Sequence, residues 1–195
     1  MVSVQFRITR VRNVGEMSRR IHITGASGAG TTTIGEYLGD ALKWAHFDTD
    51  DDYWLPTDPP FRMKREMPER LLQTTLDGND DWVLSGSLDS WGDPLIPLFT
   101  TVVFLEVPTE IRLRRLRERD TIRFGSRAIQ PGGSLHDHHR EFLDWAVAYE
   151  SGDFAGRSRP RHKTWLARLG CLVIVARGDS RPEELTSEIL AQLPE

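Results

Sequence analysis

The sequence predicts an α/β fold in three layers, with a parallel sheet of roughly five strands between two layers of helices. Short apolar segments alternate with segments of helical periodicity along most of the chain, and this alternation is typical of parallel sheets. Residues 101–107 are nearly all apolar, as expected of a strand covered on both faces. A glycine-rich turn at residues 25–30 joins the first apolar segment to the first helical one, which supplies the strand-to-helix connection of such a fold.

The composition favours one domain and excludes several classes of partner. A chain of 195 residues with 38% hydrophobic content can bury a sizeable core. We expect residues 20–195 to form it and residues 1–19 to be a poorly ordered extension. The net charge of −4 argues against nucleic acid, and no apolar run approaches the roughly 20 residues of a membrane span. The single cysteine, Cys171, excludes an internal disulfide and fits a cytoplasmic protein.

The glycine-rich turn has the composition of a phosphate-binding loop. Its residues are Gly25, Ala26, Ser27, Gly28, Ala29, Gly30, Thr31 and Thr32. Because glycine adopts positive φ, the backbone can curl around an anion and point its N–H groups inward. Gly28 is expected to approach the phosphate with no room for a Cβ, and Thr32 stands where a hydroxyl would bind Mg²⁺. Thr31 stands where such a loop carries lysine, so a cation for the phosphates has to come from elsewhere.

Acidic residues follow the second predicted strand. Apolar spacing predicts a helix from residue 31 to about 43, followed by a short strand at residues 44–47. That strand leads directly into Asp48, Asp50, Asp51 and Asp52. Open α/β sheets bind ligands at the carboxyl ends of their strands. We therefore expect these carboxylates to serve Mg²⁺ or an acceptor hydroxyl, with a solvated acidic turn as the alternative.

The next segments offer candidate contacts for an acceptor. Residues 53–61 contain three prolines and several aromatic residues, which predicts a stiff loop that could wall a pocket. Arg62 follows this loop, and it either binds an anionic acceptor or solvates the following helix. The third strand, at residues 82–84, leads into Ser85, where many phosphate-loop proteins carry a carboxylate. Trp91 lies in the next loop and either stacks on an acceptor ring or packs in the core.

Arginines dominate the helix predicted after the fourth strand, which Thr109 is expected to cap. Seven arginines lie between residues 112 and 127, and the guanidinium group suits phosphate because it donates two hydrogen bonds at once. Residues 118–133 have little apolar content, which predicts a mobile lid. We expect Arg119, Arg123 and Arg127 to close over a bound phosphate.

The C-terminal third predicts two further helices and a strand. Ser134 with Asp137, and Ser180 with Glu183, match the capping-box spacing of helix starts. His136, His138 and His139 do not share one helix face at their spacing, so we expect no metal site there. Residues 156–163 form a basic segment, predicted to be a mobile loop and a reserve of cations, and residues 171–176 form the last strand.

From residue 20 onward, the chain resembles the nucleoside monophosphate kinase branch of the phosphate-loop (P-loop) proteins, and more loosely shikimate kinase. The resemblance rests on residues 25–32, on Asp48 and Asp50, and on the arginines of residues 119–127. Residues 178–182 are similar to the loop that packs on adenine in these kinases. The chain is also similar to uncharacterised bacterial adenylate-kinase-like proteins whose loop reads GASGxGTTT and whose second strand ends in DTDDYYW.

This resemblance implies a P-loop NTPase fold with a mobile Arg-rich lid, and a kinase that uses ATP and Mg²⁺. The kinase would transfer the γ-phosphoryl group of ATP to a nucleoside monophosphate or another small acceptor. Residues 25–32 would hold the phosphates, with Thr32 on the metal. Asp50 would orient or deprotonate an acceptor hydroxyl, and Arg119, Arg123 and Arg127 would complete the catalytic set.

Three further residues are implied as acceptor contacts, namely Asp48, Arg62 and Trp91. Asp48 would also support Mg²⁺ through water. The missing lysine keeps a second interpretation open, a nucleotide-binding pseudokinase or switch without phosphoryl transfer. Losing a preorganised cation at developing charge costs about 3–4 kcal/mol, or roughly 10²–10³ in rate. A monomer and a homodimer are equally compatible with the sequence.

Overall fold

The computed structural model describes residues 19–56, 63–153 and 155–194. Five strands form one sheet in the order β2-β3-β1-β4-β5, and every pair is parallel. The strands are β1 Arg20–Gly25, β2 Ala45–Asp48, β3 Trp82–Ser85, β4 Thr101–Glu106 and β5 Leu172–Arg177. The predicted three-layer α/β fold is therefore confirmed. Most of the predicted N-terminal extension, residues 1–18, and Arg62 lie outside the described residues.

Helices connect the strands and cover both faces of the sheet. They are α1 Thr31–Leu42, α2 Thr49–Tyr53, α3 Pro68–Leu76, α4 Thr109–Phe124, α5 Ser126–Ile129, α6 His136–Val147, α7 Arg159–Leu166 and α8 Pro182–Leu190, with a 3-10 helix at Asp93–Leu98. Within the described part of the chain, no helix is both long enough and apolar enough to cross a membrane.

Alternate residues of β1 face two separate cores. Ile21 and Ile23 are buried against α1 and α8. His22, between them, faces the opposite core, where its ring stacks on Phe99 at 5.0 Å and meets the edge of Trp165. This period of two is the strand geometry that the apolar pattern predicts. Because both faces are covered, the carboxyl ends of the strands are left as the place for a ligand.

His22 makes the stability of the fold depend on pH. Its Nδ1 donates to the carbonyl oxygen of Leu84 at 3.1 Å, and its buried Nε2 has no hydrogen-bond partner among the described residues. Burial lowers the pKa of His22 from 6.5 to about 4. Between pH 4 and pH 6.5 the unfolded chain binds more protons at His22 than the folded chain does. The free energy of unfolding is therefore undiminished by His22 above pH 6.5, and it falls as the pH drops toward 4.

We expect the titration of His22 to lower the free energy of unfolding by about 2 kcal/mol when the pH falls from 7.5 to 5. Urea unfolding of the wild type and of His22→Asn at both pH values measures this. The asparagine amide can still donate to Leu84 but does not titrate, so the variant should lose less stability over the interval. Equal losses in the two proteins would assign the pH dependence to other groups.

Three predicted helix caps are wrong. Thr109 is the first residue of α4 after Pro108, α6 begins after Leu135, and α8 begins after Arg181. Within the described residues, none of these helices has a side-chain cap. Glu183, predicted to cap α8, instead accepts a hydrogen bond from the Tyr37 hydroxyl at 2.9 Å. Proline at the first position of α8 already sets the helical φ there.

The predicted lid is more regular than its sequence suggests. The helix α4 continues through Phe124 and ends at Gly125, which has φ +79°. Arg112, Leu116 and Asp120 are buried at successive i, i+4 positions, so two of the three side chains in the buried stripe are charged. An apolar periodicity cannot reveal such a helix. The mobility of residues 118–133 stays a prediction.

The basic segment predicted as a mobile loop at residues 156–163 is also largely helical. It enters α7 at Arg159, and the Ser158 hydroxyl accepts from the backbone N–H of Arg161. Proline at the second position of α7 is compatible with a helix start, because the first backbone N–H groups of a helix have no partner within it. Arg157 therefore lies immediately before an ordered helix.

Candidate active site

The glycine-rich turn forms a tight loop between β1 and α1. Gly28 and Gly30 adopt φ of +81° and +91°, as the sequence predicts. The N–H of Ala29 donates to the carbonyl of Ala26 at 3.0 Å, which closes the turn. Within the described residues, no side chain caps α1 after Gly30. An uncapped helix N-terminus that follows such a loop is a site where proteins bind phosphate.

Helix packing requires a glycine at position 28. A Cβ at this position would lie 2.7 Å from the carbonyl oxygen of Arg112 and 3.0 Å from Leu116. Both belong to α4, which therefore packs directly on the outside of the loop. The close approach of Gly28 to a phosphate stays a prediction.

This packing predicts a stability defect in Gly28→Ala. Alanine at positive φ costs roughly 1–2 kcal/mol, and overpacking against α4 should add about 1–3 kcal/mol. Gly78→Ala is the matched control, because Gly78 has φ +85° and nothing within 4 Å of the added Cβ. Urea unfolding should show the larger loss in Gly28→Ala. Equal losses would mean that α4 accommodates the added methyl group without a loss of stability.

A chain of hydrogen bonds connects the loop to the ends of β2 and β3. The Thr32 hydroxyl donates to Oδ2 of Asp48 at 2.6 Å, and the Ser85 hydroxyl donates to the same oxygen at 2.9 Å. His46 Nε2 lies 3.0 Å from Ser85 Oγ. Because the Ser85 proton goes to Asp48, this nitrogen is the donor. Burial lowers the pKa of His46, which favours the neutral ring.

Thr32 and Asp48 bring together two oxygen atoms that could hold Mg²⁺. A hydroxyl and a carboxylate are hard oxygen ligands of the type that Mg²⁺ prefers. No group of three or more His, Cys, Asp or Glu side chains suited to a metal occurs in residues 19–56, 63–153 and 155–194. A bound Mg²⁺ would therefore take its other ligands from water and from nucleotide phosphates, as this ion usually does.

Two arginines of α4 hold the loop from the outside. Arg112 is fully buried, and its Nη1 lies 3.4 Å from the carbonyl oxygen of Ser27. Arg115 donates to the carbonyl oxygens of Ala29 at 3.2 Å and Gly178 at 2.9 Å. Burial lowers the pKa of both guanidinium groups, but arginine stays protonated in proteins. These two arginines, which the sequence analysis did not single out, fix the shape of the loop.

Arg157 reaches the loop from the opposite end of the chain. Its Nη1 donates to the carbonyl oxygen of Gly25 at 3.4 Å, and its Nη2 donates to Ser27 Oγ at 3.0 Å. The guanidinium lies 5.6 Å from the centre of the Trp145 ring. Burial lowers the pKa of Arg157, and the negative charge of Asp50 opposes that shift. Arg157 thus brings a cation to a loop whose own lysine position is Thr31.

A cavity of about 410 Å³ opens beside Ser27. It lies between the loop, α2, α4 and α6. Its apolar lining in the described residues is Trp54, Phe124, Ile129, Leu135, Phe142 and Trp145. Its charged lining there, histidines aside, is Asp50, Arg119, Asp120, Arg123 and Arg157. This combination of aromatic and aliphatic side chains with convergent charges is typical of small-molecule sites.

Several residues predicted from the sequence meet at this cavity. Asp50, Arg119 and Arg123 all line it. The Arg119 guanidinium pairs with the buried carboxylate of Asp120 at 2.8 Å and lies 5.7 Å from the centre of the Phe142 ring. The Arg119 charge is therefore largely compensated by its neighbour.

Other predicted residues lie elsewhere. Arg127 is exposed on α5 and is not among the residues that line the cavity. Trp91 packs beside Tyr53, with ring centres 5.0 Å apart, and its Nε1 donates to the carbonyl of Ser87 at 3.0 Å. Asp48 contacts Thr32 and does not line the cavity.

Trp145 was not predicted from the sequence, and Arg157 was predicted only as part of a reserve of cations. Phe142 and Trp145 are three positions apart, so they share one face of α6, and their rings stack at 5.9 Å. That spacing was the available signal. For Arg157 there was none beyond a basic segment, because its partners lie more than a hundred residues away.

The chain is similar to known proteins in sequence and in fold. The uncharacterized protein YqaC of Bacillus subtilis (strain 168) is 42% identical over 179 residues, which cover 91% of this chain and 98% of YqaC. A gluconokinase from Sinorhizobium meliloti 1021 superposes with a TM-score of 0.53 at 18% identity, covering 90% of this chain and 91% of its own. A shikimate kinase from Bacteroides thetaiotaomicron gives 0.52 at 16% identity, covering 90% of this chain and 99% of its own.

The two solved structures establish the shared fold alone, since their sequences differ widely. The sequence profile of the family described as AAA domain matches residues 21–129, more than half of the chain. That segment includes the glycine-rich loop, the Thr32–Asp48 contact and all of the α4 arginines. The chain therefore belongs to the AAA domain family, as a P-loop protein with a kinase-like fold.

Proposed function

We propose that this protein is a small-molecule kinase that transfers the γ-phosphoryl group of ATP to an acceptor in the cavity beside Ser27. The observation that carries the proposal is the placement of two kinds of group around one loop. The Thr32 hydroxyl and the Asp48 carboxylate, two groups suited to Mg²⁺, lie together beside the loop. The cavity with Asp50 and Arg157 opens beside the same loop. Phosphoryl transfer needs both, because the nucleotide must be held and the acceptor must be aligned with it.

The loop would hold the β- and γ-phosphates of ATP. Its backbone N–H groups and the N-terminus of α1 supply partial positive charge. Thr32 and Asp48 would hold Mg²⁺, which neutralises phosphate charge when it is bound. Arg157 adds a full positive charge, and its existing contact with Ser27 Oγ places that charge on the cavity side of the loop.

Asp50 is suited to act on the acceptor. It lines the cavity in α2, two residues after Asp48, whose carboxylate caps the same helix by accepting from the Asp50 N–H at 2.9 Å. A carboxylate held in this way can orient an acceptor hydroxyl and take its proton. The acceptor oxygen would form a bond to the γ-phosphorus while the bond to the bridging oxygen breaks and ADP leaves.

The proposal is tested by ADP production from purified protein, ATP, Mg²⁺ and a panel of acceptors. We expect acceptor-dependent ADP formation that is lost in Thr32→Val, which removes the hydroxyl at nearly constant volume. ATP that raises the melting temperature without forming ADP under any condition would support the nucleotide-binding switch instead. No rise and no ADP would overturn both interpretations.

A further inference from the structure

We propose that the acceptor is an alcohol carried on a flat aromatic or heteroaromatic ring. The proposal rests on the kinase function above and adds the chemical class of the second substrate. It follows from two properties of the cavity beside Ser27, namely the aromatic side chains in its wall and the position of Asp50.

The wall of the cavity favours a ring over a polyhydroxylated chain. Phe142 and Trp145 stack with an angle of 25° between their planes, and Trp54 lines the cavity from the end of α2. Ring compounds bind such walls by stacking and by burial of apolar area. A polyhydroxylated acid has no aromatic ring to pack on these side chains, so it would bury their apolar area less well.

Arginines already occupy part of this aromatic wall. Arg157 lies over Trp145 at 5.6 Å and Arg119 lies over Phe142 at 5.7 Å. A cation on a ring face holds the ring in place. The wall is therefore ordered before a ligand arrives, which lowers the entropic cost of binding a rigid, flat molecule.

The Asp50 carboxylate favours a hydroxyl acceptor over a phosphate acceptor. Asp50 lines the cavity beside the loop. A phosphate monoester carries about −1.5 to −2 charges at pH 7, so its oxygens have the same sign of charge as this carboxylate. An uncharged hydroxyl would instead donate to Asp50. The positive charge of Arg157 remains for the phosphates of ATP, because its partners on the loop are uncharged.

The chemical step is balanced without any further reactant. The hydroxyl oxygen forms a bond to the γ-phosphorus of ATP, and the bond between that phosphorus and the β,γ-bridging oxygen breaks. The electron pair leaves with ADP, and the hydroxyl proton passes to Asp50. The products are ADP and a phosphate monoester of the ring alcohol.

The test measures acceptor binding and ADP production with the same panel. The probes are nucleosides and benzyl or pyridyl alcohols as ring alcohols, gluconate and shikimate as polyhydroxylated acids, and AMP as a phosphate acceptor. Calorimetry in the presence of Mg²⁺ and a non-hydrolysable ATP analogue gives the affinities. We expect a ring alcohol to bind at least tenfold more tightly than gluconate, shikimate or AMP, and the two ring-alcohol groups identify which kind of ring the cavity takes.

A pair of tryptophan variants links that binding to the cavity. Trp145→Leu should weaken the ring alcohol at least tenfold by removing a stacking partner. Trp44→Leu is the control, because Trp44 packs against the core that contains Ile34 and Leu38 of α1 and does not line the cavity. Tighter binding of gluconate, shikimate or AMP, binding by no probe, or an unchanged affinity in Trp145→Leu would overturn the proposal. If a ring alcohol binds as expected without forming ADP, the acceptor cavity stands and the kinase function fails.

Discussion

Arg157→Ala is expected to lower kcat for phosphoryl transfer by roughly 10²–10³, the usual loss when a preorganised group at developing negative charge is removed. The loop offers only a hydroxyl at Thr31. Among the described arginines that donate to the loop, Arg157 is the one that also lines the cavity. Its charge would therefore act where the γ-phosphoryl group moves. Steady-state ADP production gives kcat, and the melting temperature shows whether the variant is folded.

Three further variants separate charge from structure. Arg157→Lys keeps the cation but loses the second donor, so its kcat should fall between those of the wild type and Arg157→Ala. Thr31→Lys in the Arg157→Ala background should restore part of the rate from the other side of the phosphates. Arg161→Ala is the matched control. Arg161 lies on α7, pairs with Asp89 and does not line the cavity. A loss in Arg161→Ala as large as that in Arg157→Ala would argue for a structural role.

The structure changes which arginine we expect to contribute most to phosphoryl transfer. The sequence pointed to Arg119, Arg123 and Arg127. The structure pairs Arg119 with Asp120 at 2.8 Å and leaves Arg127 exposed on α5. Arg157 donates directly to Ser27 Oγ at 3.0 Å, so we rank it first as the cation of the loop.

Asp50→Asn should reduce kcat by about 10²–10⁴, the typical contribution of a positioned general base, while ATP affinity changes little. The amide keeps the shape of the carboxylate but cannot take a proton. Kinetics with the true acceptor give kcat, and calorimetry gives the dissociation constant for ATP. A change in affinity alone would mean that Asp50 serves the nucleotide and not the acceptor.

Asp51→Asn is the matched control for this variant. Asp51 is the next residue of α2, it is exposed, and it does not line the cavity. Its substitution removes the same charge from the same helix at a different place. We expect nearly normal turnover. Equal losses of kcat in Asp50→Asn and Asp51→Asn would mean that both residues act only through the negative charge of the helix, and that Asp50 is not a general base.

The sequence alone determined the features that depend on local physics. Apolar strands, a glycine loop with positive φ and the carboxylates after β2 are set by residues close to one another in the chain. The contact of Thr32 with Asp48 is the natural result, because the order β2-β3-β1 brings both strand ends to one edge. These features could be predicted because each follows from periodicity, from glycine or from the direction of parallel strands.

The tertiary structure alone decided which charged side chains are buried and which reach the loop. Arg112 and Asp120 belong to the core side of α4, although a periodicity argument assigns such residues to solvent. The charge of Arg112 is compensated by Glu150, which lies outside α4, and that of Asp120 by its neighbour Arg119. Arg157 meets Ser27 across 130 residues of sequence. A buried charge is tolerated only when an opposite charge or a hydrogen-bonding group lies beside it. Only the folded chain brings partners together that are so distant in sequence.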